Sequence, residues 1–289
     1  MTLNTNAIFK YEIEEVWLSV SENVLAWEQD FHQLMLDDQI RMAAYETAIK
    51  EAVKPGMVVL DLGTGTGILG LWALQAGAKH LYAIEVNADV IPKAIATFEN
   101  GGFSGRYQVF HGFSYDINLP TKVDLIISEI IGNLGDNENF IPILSDARKR
   151  FLKQDGRMLP QSLHSQLVPV NAAKAHQQIA NRMCRTLNDK YSLPELMQRL
   201  AIKSPFNLYY DAIIPRSGYL STPKVARHFR FDGTDDSVYA TDLVFLVTTE
   251  GALTGFKGSF CTALSDSVVL DISGDDIAAR TTSDSWKHC

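Results

Sequence analysis

Cysteine is scarce in this 289-residue chain. Cys184, Cys261 and Cys289 are widely spaced and odd in number, which suggests neither a disulfide framework nor a zinc site, so no metal is expected. Long apolar runs are lacking too. None approaches the length that spans a bilayer, and the opening residues Met1-Thr2-Leu3-Asn4-Thr5-Asn6 carry neither the basic nor the apolar region of a signal peptide. The expectation is a cytoplasmic protein with no membrane partner. Positive charge is also short: 26 Lys and Arg against 34 Asp and Glu leave a net charge of −8, which repels phosphate and disfavours a nucleic-acid partner. A cationic partner suits such a surface. What remains is the composition of an ordinary globular protein, long enough for one large domain or two ordinary ones.

One stretch organises the rest, Val58-Val59-Leu60-Asp61-Leu62-Gly63-Thr64-Gly65-Thr66-Gly67-Ile68-Leu69. A short β-branched apolar run stops near an acid and gives way to glycines at alternate positions, which predicts strand, tight turn and helix. Glycine there lets a ligand lie against the main chain, and a nucleoside cofactor is the natural occupant. A nicotinamide fingerprint wants G-x-G-x-x-G, and a P-loop ends in Gly-Lys-Ser/Thr. The form D-x-G-x-G-x-G instead resembles motif I of class I S-adenosylmethionine (SAM) methyltransferases. A second apolar run, Leu81-Tyr82-Ala83-Ile84, ends in Glu85, where a carboxylate at the tip of the second strand can accept bonds from both ribose hydroxyls. The alternative is a glycine-rich turn beside an ordinary exposed glutamate.

Around that stretch the chain divides into three expected regions. Residues 1–56 read as an N-terminal helical cap, with Tyr11, Ile13, Val16, Trp17, Val20, Val24, Leu25 and Trp27 giving residues 10 to 30 a mixed helical spacing. The helix continues through Phe31 to Met42 and sets Asp38 and Arg41 one turn apart, a spacing that by itself reads as a solvated salt bridge. Residues 57–160 alternate: strands at Val58 to Asp61, Leu81 to Glu85, Tyr107 to Phe110 and Val123 to Ser128, helices at Ile68 to Ala76, Ala88 to Phe98 and about Ile141 to Phe151, then a turn at Asp155-Gly156 and a strand at Arg157 to Leu159. Such alternation implies an α/β fold, a Rossmann-like parallel sheet that binds ligands at its carboxyl edge. Residues 161–289 read as a smaller, mostly β module. It has strands at Leu163 to Val170, Val225 to Phe231, Leu243 to Thr248, Gly255 to Ala263 and Val268 to Ile272, and a helical insertion at about 172–202.

The loop after the fourth strand reads Ser128-Glu129-Ile130-Ile131-Gly132-Asn133-Leu134-Gly135-Asp136-Asn137-Glu138. Two carboxylates converging at a strand end can clamp a guanidinium through charge-assisted hydrogen bonds and keep electron density on the accepting nitrogen. The alternative makes one glutamate structural and the other a solvated loop acid. The pattern S-E-x-x-G followed by a second Glu resembles the double-E loop of the protein arginine methyltransferases. His32-Gln33-Leu34-Met35-Leu36-Asp37-Asp38-Gln39-Ile40-Arg41 is similar to that family's H-x-x-M-L-x-D-x-x-R helix, and Gly156-Arg157-Met158-Leu159-Pro160 to its crossing into a β-barrel.

The resemblance implies an enzyme, a SAM-dependent N-methyltransferase acting on arginine of a protein or peptide. A small guanidine or amine metabolite as acceptor, and a non-catalytic SAM-binding partner subunit, are the alternatives. It assigns Glu129 and Glu138 to catalysis. It assigns the cofactor to Met35, beside the sulfur, Arg41, on the SAM carboxylate, Asp61, Gly63, Gly65, Gly67, Ile68, Leu69 and Glu85, with Ser114 and Tyr115 at the adenine. A homodimer is the implied assembly.

The departures are equally specific. Trp17 to Trp27 contains no tyrosine where the family has Y-F-x-x-Y, and Asp284-Ser285-Trp286-Lys287 stands where the family has threonine, histidine and tryptophan. The barrel strands that normally follow are lacking after Cys289, so the expectation is a shortened polypeptide or a reduced β module whose open edge another segment or protomer covers.

Overall fold

In the computed structural model of the chain, the residues described are 14, 16–18, 29–135, 138–185, 192–274, 283, 285, 286, 288 and 289; of residues 29–31 and 34 only the backbone is described. Five strands form a parallel sheet: β2 (Val58–Leu62), β3 (His80–Glu85), β4 (Tyr107–His111), β5 (Val123–Ser128) and β6 (Leu152–Leu159), in the order β4-β3-β2-β5-β6. The order reverses beside β2. Chain leaving β2 turns one way and chain leaving β5 the other, so a crevice opens between their carboxyl ends. Leu60, Leu81, Ala83, Ile126 and Ile127 are all fully buried, as strands covered on both faces require.

Helices pack on this sheet where their apolar content demands it. In α3 (Ile68–Gln75) Leu69, Gly70, Trp72, Ala73 and Leu74 are buried. The other helices, α2 (Gln39–Ala52), α4 (Ile91–Asn100) and α5 (Phe140–Phe151), bury one face each, carried by Tyr45 and Ile49, by Ala94 and Phe98, and by Phe140, Leu144 and Phe151. α1 (Gln29–Asp37) precedes α2, and Asp38 between them caps α2 by accepting a hydrogen bond from Arg41 N.

The β-rich module is an antiparallel sheet, β11 (Val269–Asp271), β10 (Gly255–Ala263), β7 (Ser162–Val170) and β9 (Lys224–Phe229), in that spatial order. Phe229, Phe260, Leu264, Leu270 and Ile272 join the core of the parallel-sheet domain. A second core gathers Val168 and Val170 with Ala175 of α6 (Ala173–Ala180) and Leu193, Leu196 and Met197 of α7 (Leu193–Arg199). The expected architecture, a Rossmann-like sheet followed by a smaller β module with a helical insertion, is the one that forms.

Four local expectations are corrected. Val16–Leu18 is a strand, β1, antiparallel to β8 (Tyr210–Ala212), and all three of its residues are buried; the mixed spacing of residues 10 to 30 hid a short apolar run that pairs across the chain. Tyr11, Ile13, Val20, Val24, Leu25 and Trp27 lie outside the described residues. Leu243 to Thr248 forms no strand and runs along the surface, its Thr248 amide bonded to Leu220 O. Asp155-Gly156 does not end an element. β6 runs through it with a wide irregularity, since Val123 pairs with Leu152 but Leu125 with Arg157. Finally, Asp38 and Arg41 are buried, not solvated.

Candidate active site

β2 ends in a turn whose main chain folds back on β3: Gly63 N and Thr64 N both donate to Ile84 O at 3.0 Å. The turn closes on Gly67, at φ +83°, whose carbonyl opens α3. A Cβ at Gly67 would stand 3.0 Å from Ala94 Cα and from the Phe98 ring, so close packing of α3 on α4 and a left-handed backbone both require glycine. Ile68 and Leu69 begin the helix behind it.

Two acids anchor the turn. Asp61 is fully buried; its Oδ2 accepts from Thr64 Oγ1 at 2.7 Å and Gly70 N at 2.9 Å, while its Oδ1 finds no hydrogen-bond partner among the described residues. Burial pushes its carboxyl up to about 6, against the two hydrogen bonds that favour ionisation. Glu85, at the tip of β3, receives Gly65 N and Asn87 N, each at 2.8 Å, one on each oxygen. Its carboxylate is therefore held at the mouth of the crevice, beside the glycine turn.

The third strand end brings Glu129. Its Oε1 accepts Ile131 N at 3.1 Å, and its Oε2 is ion-paired with Arg41 Nη2. Arg41 is buried, and its ring neighbour Trp286 lies 4.5 Å from the guanidinium carbon. Burial works against the Arg41 charge, whereas Tyr45, Asp38 and Glu138 favour it. Glu138 is thus near enough to feel Arg41; burial raises its carboxyl to about 7 and Arg41 opposes the rise. The loop between the two glutamates is pinned. Gly132 and Gly135 exchange amide–carbonyl hydrogen bonds, Ser165 Oγ of β7 donates to Leu134 O at 2.5 Å, and Trp286 Nε1 donates to Ile131 O at 2.8 Å. Asp136 and Asn137 lie outside the described residues.

The remaining sequence candidates are placed less closely. Met35 is half-buried on α1. Ser114 and Tyr115 sit in a short 3-10 turn after β4, the first buried with its carbonyl accepting from Arg150 Nη2, the second 49% exposed. Sequence reasoning missed Ser283, which donates to Asp38, and the Asn133–Asp211 contact that ties the double-glutamate loop to β8. Nothing local marks either, because each joins residues far apart in the chain.

Comparison with known proteins finds relatives in sequence and in fold. Residues 41–178 match the family model of the ribosomal protein L11 methyltransferase, PrmA. A probable histone-arginine methyltransferase 1.3 of Arabidopsis thaliana is 38% identical over 154 residues, 52% of this chain and 28% of that protein. The protein arginine N-methyltransferase PRMT10 of the same plant is 38% identical over 145 residues, 49% of this chain and 38% of the relative. The chain thus spans well under half the length of these relatives. Among solved structures, Arabidopsis thaliana protein arginine methyltransferase 10, in an open conformation, superposes with a TM-score of 0.69 at 22% identity, covering 89% of this chain and 80% of its own. A Trypanosoma brucei PRMT1 enzyme–prozyme heterotetramer with AdoHcy superposes at 0.73 and 20%, covering 93% and 82%. Over about half its length the chain is thus similar in sequence to proteins named arginine methyltransferases, its residues 41–178 match a methyltransferase family model, and over about nine-tenths of its length it shares the fold of two solved protein arginine methyltransferase structures.

Proposed function

We propose that this chain is a SAM-dependent N-methyltransferase that methylates a guanidino nitrogen of arginine in a protein or peptide. The observation that carries the reading is the meeting of three groups at the ends of β2, β3 and β5: the glycine turn, the Glu85 carboxylate and the Arg41–Glu129 pair. The donor set fits the cofactor. A carboxylate at the crevice mouth suits a ribose diol, glycines without side chains suit a close main-chain approach, and Arg41 keeps a buried Nε with no partner among the described residues, as an anion receptor should.

Glu85 would hold the ribose, residues 63 to 69 the amino-acid part with Asp61 behind them, Arg41 its carboxylate, Met35 the sulfur region, and Ser114 with Tyr115 the adenine. When bound, SAM supplies an electrophilic sulfonium methyl group. Glu129 and Glu138 would orient the accepting guanidinium by charge-assisted hydrogen bonds and hold electron density on its nitrogen, so that positioning would dominate the catalysis. Glu138, with its carboxyl raised to about 7, would accept the proton that the methylated nitrogen loses.

Residues 1–56, 57–160 and 161–289 would serve as cap, cofactor domain and substrate module, in a cytoplasmic homodimer. Calorimetric titration with SAM, followed by mass spectrometry of arginine-rich peptides and free arginine, tests the activity. Binding together with a 14-dalton gain per methyl on peptide arginine, the mass of CH2, is the expected result. A gain on free arginine alone would move the acceptor to a small guanidine, and no SAM binding would overturn the reading.

A further inference from the structure

Two serines with no role so far converge on one carboxylate oxygen. Asp38 Oδ2 accepts from the Ser283 hydroxyl, from Ser285 Oγ at 2.6 Å and from Ser285 N at 3.0 Å, while Oδ1 accepts Arg41 N at 3.1 Å. Ser283 Oγ in turn receives Trp286 N at 3.0 Å. Trp286 stacks on the Arg41 guanidinium and donates its indole N–H to the loop that carries Glu129. Ser283, Ser285 and Trp286 therefore tie the cap of α2 to that loop, with Arg41 between them.

Arg41 spends its donors unevenly. Nη2 meets Glu129, Nη1 stands 3.4 Å from Ser285 Oγ, and Nε is buried with no partner among the described residues. Asp38 is close enough to stabilise the Arg41 charge. A carboxylate released from its serine donors would turn to the nearest cation and take the Nε position that a ligand carboxylate needs.

We propose that Ser283 and Ser285 are positioning residues, which saturate Asp38 and so keep Arg41 available as the receptor for the carboxylate of the cofactor's amino-acid part. The inference rests on the function proposed above. Its consequence is selective: losing the serines weakens ligands that carry an amino-acid carboxylate and spares those that do not.

The test is calorimetry on the full chain with two probes, S-adenosylhomocysteine and 5′-methylthioadenosine, which share the nucleoside but differ in that carboxylate. In the variant Ser283→Ala/Ser285→Ala, affinity for S-adenosylhomocysteine falls about tenfold, or about 1.4 kcal/mol, while affinity for methylthioadenosine is unchanged; Ser283→Thr/Ser285→Thr, which restores both hydroxyls, recovers the loss. Should the double alanine variant fail to fold, Ser285→Ala alone gives the same selectivity at about threefold. Equal losses for both probes, or none for either, would overturn the proposal while leaving the enzyme reading intact. An unaltered protein that binds neither probe overturns both.

Discussion

Glu138 and Asp61 are carboxyls that burial holds toward their neutral forms, to about 7 and about 6 from ordinary values of 4.5 and 3.8. Within those windows the folded state keeps protons that the unfolded chain has released, so the contribution of each group to stability is full below its ordinary value and is lost as pH rises through its folded value. Thermal melts from pH 4 to 8 therefore show this part of the stability falling with pH, and Glu138→Gln flattens the upper part of the fall. Catalysis runs the other way. As the proposed proton acceptor Glu138 must be ionised, so kcat/KM for a peptide arginine is expected to rise through about pH 7, and a pH-independent profile from 6 to 8 would remove that role. Glu129→Gln lowers turnover by about a hundredfold or more, the usual scale of a lost orienting or charge-stabilising contact, and leaves the buried Arg41 charge poorly matched. A loss of about 1–3 kcal/mol in stability accompanies it, read from denaturant unfolding.

The elements tell which of these features a sequence can carry. The glycine turn was legible because strand, acid and alternate glycines are consecutive, and Glu85 because it ends the very next strand. Gly67→Ala puts a Cβ where Ala94 and Phe98 already stand and strains a left-handed backbone, so it costs about 1–3 kcal/mol, measured by thermal or urea unfolding; Gly102→Ala, also at positive φ but in open space, costs less. Pairing between distant segments was not legible. Val16–Leu18 looked helical because its partner, Tyr210–Ala212, is nearly two hundred residues away, at a separation no local pattern encodes. Leu243 to Thr248 has the composition of a strand, yet among the described residues no strand pairs with it. Asp38 and Arg41 have the spacing of a surface pair, yet they are buried and meet residues distant in the chain, Ser283, Ser285, Trp286 and Glu129.

At the scale of the whole molecule, apolar side chains are concentrated on one exposed stretch: Val244 and Leu246 are 80% and 77% exposed, with Val238, Val247 and Leu253 similarly bare. Surfaces of this kind are commonly covered by a partner, and the proposed homodimer supplies one. In sedimentation the parent protein is then expected to run as a dimer and Val244→Asp/Leu246→Asp as a monomer; an unchanged dimer places its interface elsewhere. The buried pair of Arg41 with Glu129 has a different reach. If Glu129 receives the substrate guanidinium, as proposed, then the protein holds a guanidinium of its own, that of Arg41, against the same carboxylate. On that reading arginine mimics and guanidine inhibitors would compete with an internal rival that is never diluted, and would gain access when a ligand carboxylate draws that rival aside. Screens run without cofactor would pass over the compounds that matter.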